Sequence, residues 1–517
     1  MLAIDFFERG VSRYPANILV QDLDHSITYK EMGELALKTA RALVAGGINP
    51  SDRVAILAPN HPMVLACQYG IIKAGAIWTP ANYRNLPHDT ARQFNALGVS
   101  FVFFHSSLEE HVASIRDKLP AVRGFVCIDR ASSFAPAMSA WMEAAPSHVT
   151  FPERCMDDTV AILTTSGTTG LPKGAAHSNR SLEAMIASFY AMLPFDEPPV
   201  HLVVAPLTHA AGVYHWSLLG IGGTNVLAPS ADPETILQMI EAHKISVIFL
   251  PPTVIYMLLA HPNLKKYDYS SLRYFIYGAA PMSVDKLKEA FSAFGPVMTQ
   301  CYGQSECLMM ATILTKKDHS EILSNDQLRH RIAAAGREAP FSRVEIMNDE
   351  GGLLRPGEMG EIVFQAQYLM DGYFENPEAT AETRCNGWHR TGDVGYKDPD
   401  GFVYLVDRKK DMIISGGFNL FPGEIEQAVL AHPAVQDCAV VGIPHEKWGE
   451  TVLAAIELKP GETFVEEEFF AFCKTKLGSL KSPKYVEIWN PLPRSTVGKT
   501  LRRVVRAKYW EGRDRAI

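Results

Sequence analysis

The stretch TTSGTTGLPKG, Thr164–Gly174, places three glycines, five hydroxyl side chains and one lysine within eleven residues, directly after the apolar run AIL. Glycine lets a backbone turn with positive φ and leaves room for a ligand beside the N–H groups. Hydroxyls and a lysine supply donors to negative oxygens. That combination suits a polyphosphate. The spacing differs from GxxxxGK[ST], because Leu171 and Pro172 separate Gly170 from Lys173. On composition alone, a polar turn joining a strand to a helix accounts for the same residues.

Outward from this loop, the preceding VAILTTSG reads as a buried strand. Similar short apolar runs recur as RVAILAP, VSFVFFH, HLVVAPL and ISVIFLPP, each bounded by turn residues. Helical periodicity separates them, in YKEMGELALKTARALVAGG and in ETILQMIEAHK. Helix alternating with apolar strand predicts α/β architecture with layered sheets. The segment 198–231 contains no Asp, Glu, Lys or Arg, but its histidines, glycines and prolines mark it as buried strand and turn material.

The chain has 517 residues, enough for two to four domains. A net charge of -8 argues against a general nucleic-acid surface. Its eight cysteines form no CxxC pair, which favours a reducing compartment. The N-terminal MLAIDFFERGVSRYP carries charges where a secretion signal needs an apolar run, so a cytoplasmic location without an integral membrane segment is expected. Texture changes near Arg337 to shorter β pieces. The charged junction within VYLVDRKKDMIISGG marks a boundary, giving a large multi-subdomain N-terminal domain over 1–407, a hinge at 408–410 and a small α+β C-terminal domain over 411–517.

The loop, read with this architecture, resembles the phosphate-binding motif of the superfamily of adenylate-forming acyl-CoA synthetases, nonribosomal-peptide adenylation domains and luciferases. The resemblance continues in order through GAAP (278–281), YGQSE (302–306), TGD (391–393), DRKKDMI (407–413), SGGFNLFPGEIE (415–426) and PRSTVGK (493–499). It implies a large N-terminal domain, a small mobile C-terminal domain, and an enzyme that joins a carboxylate to AMP before transferring the acyl group. ATP, Mg2+ and the cosubstrate CoA are the implied small molecules.

Site roles follow from the resemblance. Thr165, Ser166, Gly167, Thr168, Thr169, Gly170 and Lys173 match the phosphate loop. Glu306 matches the glutamate that meets magnesium, the one metal-binding residue expected. Gly278, Ala279, Ala280, Tyr302, Gly303 and Ser305 match the adenine wall; Ser305 departs from the commoner threonine, keeping the hydroxyl and losing a methyl. Asp393 matches the aspartate that accepts the ribose hydroxyls, with Arg408 supporting from the junction. Lys499 matches the catalytic lysine of adenylation, whose ammonium bridges carboxylate and α-phosphate oxygens.

Lys410 matches the hinge position, where some relatives carry aspartate. Ser415, Gly416 and Gly417, with Lys447 and Trp448, match the surface brought in for CoA. His209, in PLTHAAGVYHW, is placed with the catalytic group beside the carboxylate pocket, without a general-base role, because a carboxylic acid is already ionised at neutral pH. A buried histidine bonded to backbone is the other reading. Val213, Trp216, Tyr277, Cys307, Leu308 and Met309 are the acyl-pocket candidates, and Trp216 either closes the pocket or forms one wall of an aromatic slot.

These assignments predict an AMP-forming acid–thiol ligase for a small-molecule carboxylic acid and CoA, the acid being a medium- or long-chain fatty acid or an aromatic one. The alternatives are a ligase that loads a carrier protein and a noncatalytic nucleotide-binding regulator. A homodimer is compatible with this reading.

Overall fold

In the computed structural model, residues 1–165, 173–208, 211–280, 282–494 and 500–511 are described. The chain divides into two compact units, Met1–Val344 with Phe364–His389, and Glu345–Val363 with Arg390–Ile517. The junction read from sequence at 408–410 lies inside the second unit.

Two sheets organise the first unit. One runs, among the described residues, Gly372–Tyr373, Lys173–Ser178, Thr159–Thr165, Ile77–Ala81, Arg53–Leu57, Val99–Phe104 and Gly124–Cys127. The last five are parallel neighbours, and Ile77–Ala81 and Val99–Phe104 are buried at every position. Such strands read as continuous apolar runs because helices cover both faces. Pro80 brings no N–H to this sheet, and Ile77–Ala81 registers with Thr159–Thr165 at a single pair, Trp78 opposite Ala161.

The other sheet runs Arg337–Glu338, Cys307–Leu314, Met298–Gln304, Tyr274–Gly278, Val247–Leu250, Val200–Val203, Thr224–Leu227, Ile18–Gln21 and Ser26–Thr28. Its middle strands are parallel, and Cys307–Leu314 returns antiparallel beside Met298–Gln304. Helices between strands start where local chemistry predicts. Thr28 and Glu31 form a capping box for Tyr29–Ala45, and Asp232 accepts the Thr235 N–H ahead of Pro233–Ala242. Pro62–Lys73 is buried almost all round, consistent with a helix inside the core. Among its described residues the charge-free segment 198–231 is mostly buried strand and turn material as expected, with strands Val200–Val203 and Thr224–Leu227, but it also holds two short helices, Ala211–Tyr214 and Trp216–Leu219.

The second unit carries a sheet ordered Phe418–Leu420, Ile413–Ser415, Gly449–Leu458 and Val435–His445, with Tyr485–Ile488 parallel to Gly449–Leu458. Ile413, Ile425, Val429, Val440, Ile456 and Phe469 form its core, closed by the helices Pro422–Leu430 and Glu466–Lys481. The α/β class with a smaller α+β C-terminal part, read from sequence, is the observed architecture.

Candidate active site

Thr159–Thr165 and Lys173–Ser178 form an antiparallel pair in which Thr165 lies opposite Lys173. The hydroxyl-rich loop therefore joins two strands, correcting the strand-to-helix turn that composition alone allows. Ser166, Gly167, Thr168, Thr169 and Gly170 lie outside the described residues, as do His209 and Lys499. Before the loop, buried Gln93 donates from Nε2 to Thr164 Oγ1 at 3.4 Å and to the Pro80 carbonyl at 3.1 Å. After it, Lys173 Nζ sits 5.0 Å from the centre of the Tyr373 ring.

YGQSE forms the tight turn between Met298–Gln304 and Cys307–Leu314, with Gln304 opposite Cys307. A Cβ on Gly303 would lie 2.8 Å from both the carbonyl carbon and oxygen of Met309, so only glycine lets the strands approach this closely. Tyr302 is nearly buried, its ring 5.5 Å from Phe364 in an edge-on contact.

Three contacts hold the turn at Glu306. Tyr373 donates its hydroxyl to Glu306 Oε1 at 2.6 Å. The Met370 N–H donates to the Glu306 carbonyl at 2.8 Å, and His177 Nε2 donates to the Ser305 carbonyl at 2.7 Å. Burial brings the His177 pKa down to about 4, so the ring is neutral at pH 7 and carries its proton on Nε2. Burial, then the Glu306 carboxylate, push the Tyr373 phenol well above its ordinary range, which keeps it a donor. Neither His177 nor Tyr373 stood out in the sequence: one looks like strand material, the other like half of a Gly-Tyr turn.

Gly278 ends its strand opposite Cys301, and Ala279 follows with φ +64°. Ala279 is exposed and Ala280 half-buried. The Tyr277 hydroxyl lies 2.9 Å from His319 Nε2 and 3.2 Å from Gln300 Oε1. Among the other pocket candidates, Val213, Trp216, Cys307 and Leu308 are buried. Met309 packs against a cluster containing Tyr214, Ile276, Cys301 and Met310, whereas Trp216 meets Tyr69 edge-on at 5.3 Å. Burial raises the Cys307 thiol well above its ordinary value, leaving it a small apolar group.

In the second unit, Asp393 and Arg408, fifteen residues apart, face each other across paired strands, with Arg408 Nε 3.3 Å from Asp393 Oδ1. Asp393 is buried at 5% exposure, so a polar partner is needed to hold its charge there. Lys410 lies exposed in the short 3-10 turn Lys409–Asp411. Ser415 pairs with Gly449, and the Gly416 N–H donates to the Trp448 carbonyl at 2.9 Å. Gly416 and Gly417 turn with φ +59° and +83°. Trp448 is partly exposed and stacks on His445 at 4.4 Å. The structure thus joins the two stretches expected to meet CoA, Ser415–Gly417 and Lys447–Trp448, in one surface. Arg494 and Thr500, which flank 495–499, bridge one another, and Thr500 Oγ1 donates to Asp437 at 2.9 Å.

Among the described residues no group of three or more His, Cys, Asp or Glu side chains could hold a metal ion. Glu306 offers a single carboxylate that accepts from Tyr373 through Oε1 and keeps acceptor capacity, the chemistry a magnesium site would use. Also among the described residues, no helix is long and apolar enough to cross a membrane.

Residues 7–374 match the family model for AMP-binding enzymes, and residues 424–499 match the AMP-binding enzyme C-terminal domain. The chain is 33% identical to a medium/long-chain-fatty-acid–CoA ligase, FadD8, of Mycobacterium tuberculosis, covering 96% of this chain and 88% of the relative. It is 34% identical to a feruloyl-CoA synthase of an Amycolatopsis species, covering 94% of each. The amide bond synthetase McbA of Marinactinospora thermotolerans has a similar structure, with a TM-score of 0.88 at 29% identity over 98% of this chain and 100% of that one. A glycine- and hydroxyl-rich stretch flanked by the paired Thr165 and Lys173, a glutamate turn at 306 and two matching models across most of the length agree: the chain belongs to the AMP-binding enzymes, in the acyl-CoA synthetase family of adenylate-forming enzymes.

Proposed function

We propose that this enzyme ligates a carboxylic acid to CoA in two steps. A carboxylate oxygen attacks the α-phosphorus of ATP, forming acyl-AMP and releasing pyrophosphate. The CoA thiolate then attacks the acyl carbonyl, forming the thioester and releasing AMP. The observation that carries this reading is the convergence of Lys173 and Glu306 on Tyr373, which sets a cation at the ring face and a carboxylate at the hydroxyl of one phenol, at the end of the phosphate-loop strands.

In this reading Lys173 and the loop hydroxyls bind the leaving phosphates, with Tyr302 and the Gly278–Ala280 turn against adenine. Asp393 accepts the ribose hydroxyls, as a buried carboxylate suits two donors, and Arg408 Nε stands 3.3 Å from it. Glu306 would hold the magnesium ion, which when bound supplies positive charge to the phosphate oxygens. Lys499 attracts both reacting anions, so its effect grows as charge concentrates between them. For the second step, reorientation about Lys410 presents the Ser415–Gly417 and Trp448 surface to CoA. Medium- or long-chain fatty acids and aromatic acids are the candidate substrates, as the names of the relatives suggest. The eight cysteines are all free, in keeping with a reducing cytoplasm.

The test is AMP release and thioester mass over a panel of short, medium, long and aromatic acids with ATP, magnesium and CoA. One acyl-CoA mass supports the reading. AMP release with thioester formed only on a phosphopantetheinyl carrier protein overturns CoA as the acceptor, and ATP binding without acid-dependent AMP overturns catalysis.

A further inference from the structure

The geometry points to Tyr373 as a positioning residue for the adenylation step, a phenol that orients Glu306 and keeps Lys173 from pairing with it. This rests on the assignment of Lys173 and Glu306 to the ATP site. Tyr373 sits in a two-residue strand fastened to the phosphate-loop strand: Tyr373 lies opposite Ala175 and Gly372 opposite Ala176. The Phe374 N–H donates to the Gly174 carbonyl at 2.8 Å, the Asp371 N–H to the Ala176 carbonyl at 2.9 Å, and the Tyr373 N–H to Thr380 Oγ1 at 2.8 Å. The ring therefore moves with the strand that begins at Lys173.

Its two ends do different things. The hydroxyl donates to Glu306 Oε1 at 2.6 Å, a charge-assisted bond that selects one orientation of the carboxylate and leaves it acceptor capacity for a cation. The ring face receives the Lys173 ammonium at 5.0 Å from its centre. Among the described residues Lys173 makes no salt bridge with Glu306, although both touch the same side chain. A direct pair would neutralise the two charges that the phosphates and the metal need apart. The phenol is wide enough to prevent that pair and polar enough to leave neither group unpartnered. His177 and the Met370 N–H brace the backbone on either side of the turn, so the carboxylate direction is the degree of freedom left to Tyr373.

Tyr373→Phe removes the bond to Glu306 and keeps the spacer; Tyr373→Leu removes both. The readouts are equilibrium binding of ATP with and without magnesium, the separate kcat and KM for MgATP, and thioester formation from supplied acyl-adenylate, with Glu306→Gln alongside. For Tyr373→Phe, losing one charge-assisted bond gives about tenfold weaker MgATP binding, little change in magnesium-free ATP binding, and a KM effect exceeding the kcat effect. Tyr373→Leu, which lets Lys173 and Glu306 pair, weakens ATP binding both with and without magnesium. Thioester formation from acyl-adenylate stays at wild-type level in both. Equal losses in both half-reactions, or MgATP binding by Tyr373→Phe at wild-type strength while Glu306→Gln impairs it, overturns the proposal alone. Unchanged magnesium dependence in Glu306→Gln overturns the underlying site assignment instead.

Discussion

Replacing Arg502 with leucine tests how the second unit holds the segment around Lys410, the proposed hinge. Arg502 begins the helix Arg502–Trp510 and gathers three carboxylates. Its Nε donates to Glu426 Oε1 at 2.7 Å, its Nη1 donates to Asp407 Oδ1 at 2.7 Å and approaches Asp411 Oδ2 at 3.4 Å, and its Nη2 pairs with Glu426 Oε2. The Asp407 side chain is 3% exposed and that of Glu426 16%, so leucine would leave two desolvated carboxylates without a counter-charge. Breaking a buried ion network by removing one partner costs about 3–5 kcal/mol; because Arg502 is itself 22% exposed, about 3 kcal/mol is expected here. That corresponds to roughly a hundredfold in the opening equilibrium.

The assay is hydrogen exchange of the helix Arg502–Trp510 and the strand Val435–His445 at neutral pH, where amides should exchange about a hundredfold faster than in the wild type. Sign and pH dependence follow from Glu426. Burial pulls its pKa upward and Arg502 pulls it back. Even with Arg502 in place the folded pKa is raised; without Arg502 only the Val440 N–H still lowers it, against burial and the neighbouring Asp407, so the folded pKa exceeds the unfolded one by more. The penalty is then largest at neutral pH and shrinks as the pH falls and Glu426 takes up a proton. Exchange at the wild-type rate, or a penalty that grows on acidification, would refute the account. Asp407 and Asp411 bracket Lys410, so the same loss should disturb thioester formation more than adenylation.

Three further outcomes are expected. Lys499→Ala should lower acyl-AMP formation by about a hundredfold or more while thioester formation from supplied acyl-AMP is largely kept, as separate half-reaction assays will show; equal losses would remove its special role. Gly303→Ala, whose new Cβ would lie 2.8 Å from Met309 backbone atoms and 2.9 Å from the Cys307 oxygen, should lose about 1–3 kcal/mol of stability and most adenylation, measured by urea unfolding and AMP release. Finally, His177, His201, His319 and His389 have pKa values lowered by burial to about 4 and His215 to about 3. Between the ordinary histidine value and pH 4 the unfolded chain binds protons that the folded one refuses. Stability present above that value should therefore fall on acidification, by up to about 1.4 kcal/mol per pH unit for each histidine; a flat urea midpoint from pH 7 to pH 5 would contradict this.

Much of the architecture was legible because it is encoded locally. VAILTT, RVAIL and VSFVFF announce buried parallel strands by continuous apolar character, and the periodicity of YKEMGELALKTARALVAGG and ETILQMIEAHK announces the helices Tyr29–Ala45 and Pro233–Ala242. Other features depend on partners far along the chain. Ala211–Tyr214 and Trp216–Leu219 are too short for periodicity to reveal, and their burial comes from the surrounding sheets and helices. The Tyr277 hydroxyl meets Gln300 and His319, partners 23 and 42 residues away that no local pattern announces.

By itself, the sequence determined the α/β class, the place of the glycine- and hydroxyl-rich loop and the order of its companion motifs, because composition, periodicity and turn chemistry act over a few residues. Only the tertiary structure decided that the loop joins two paired strands, that Asp393 faces Arg408, that Gly416 meets Trp448, and that Tyr373 stands between Lys173 and Glu306. Tyr373 and Glu306 are 67 residues apart, and their 2.6 Å bond depends on the register of a two-residue strand against Ala175 and Ala176. A shift of one residue in that register would turn the ring to the opposite face of the sheet, and nothing in the local sequence of either partner records which register is used.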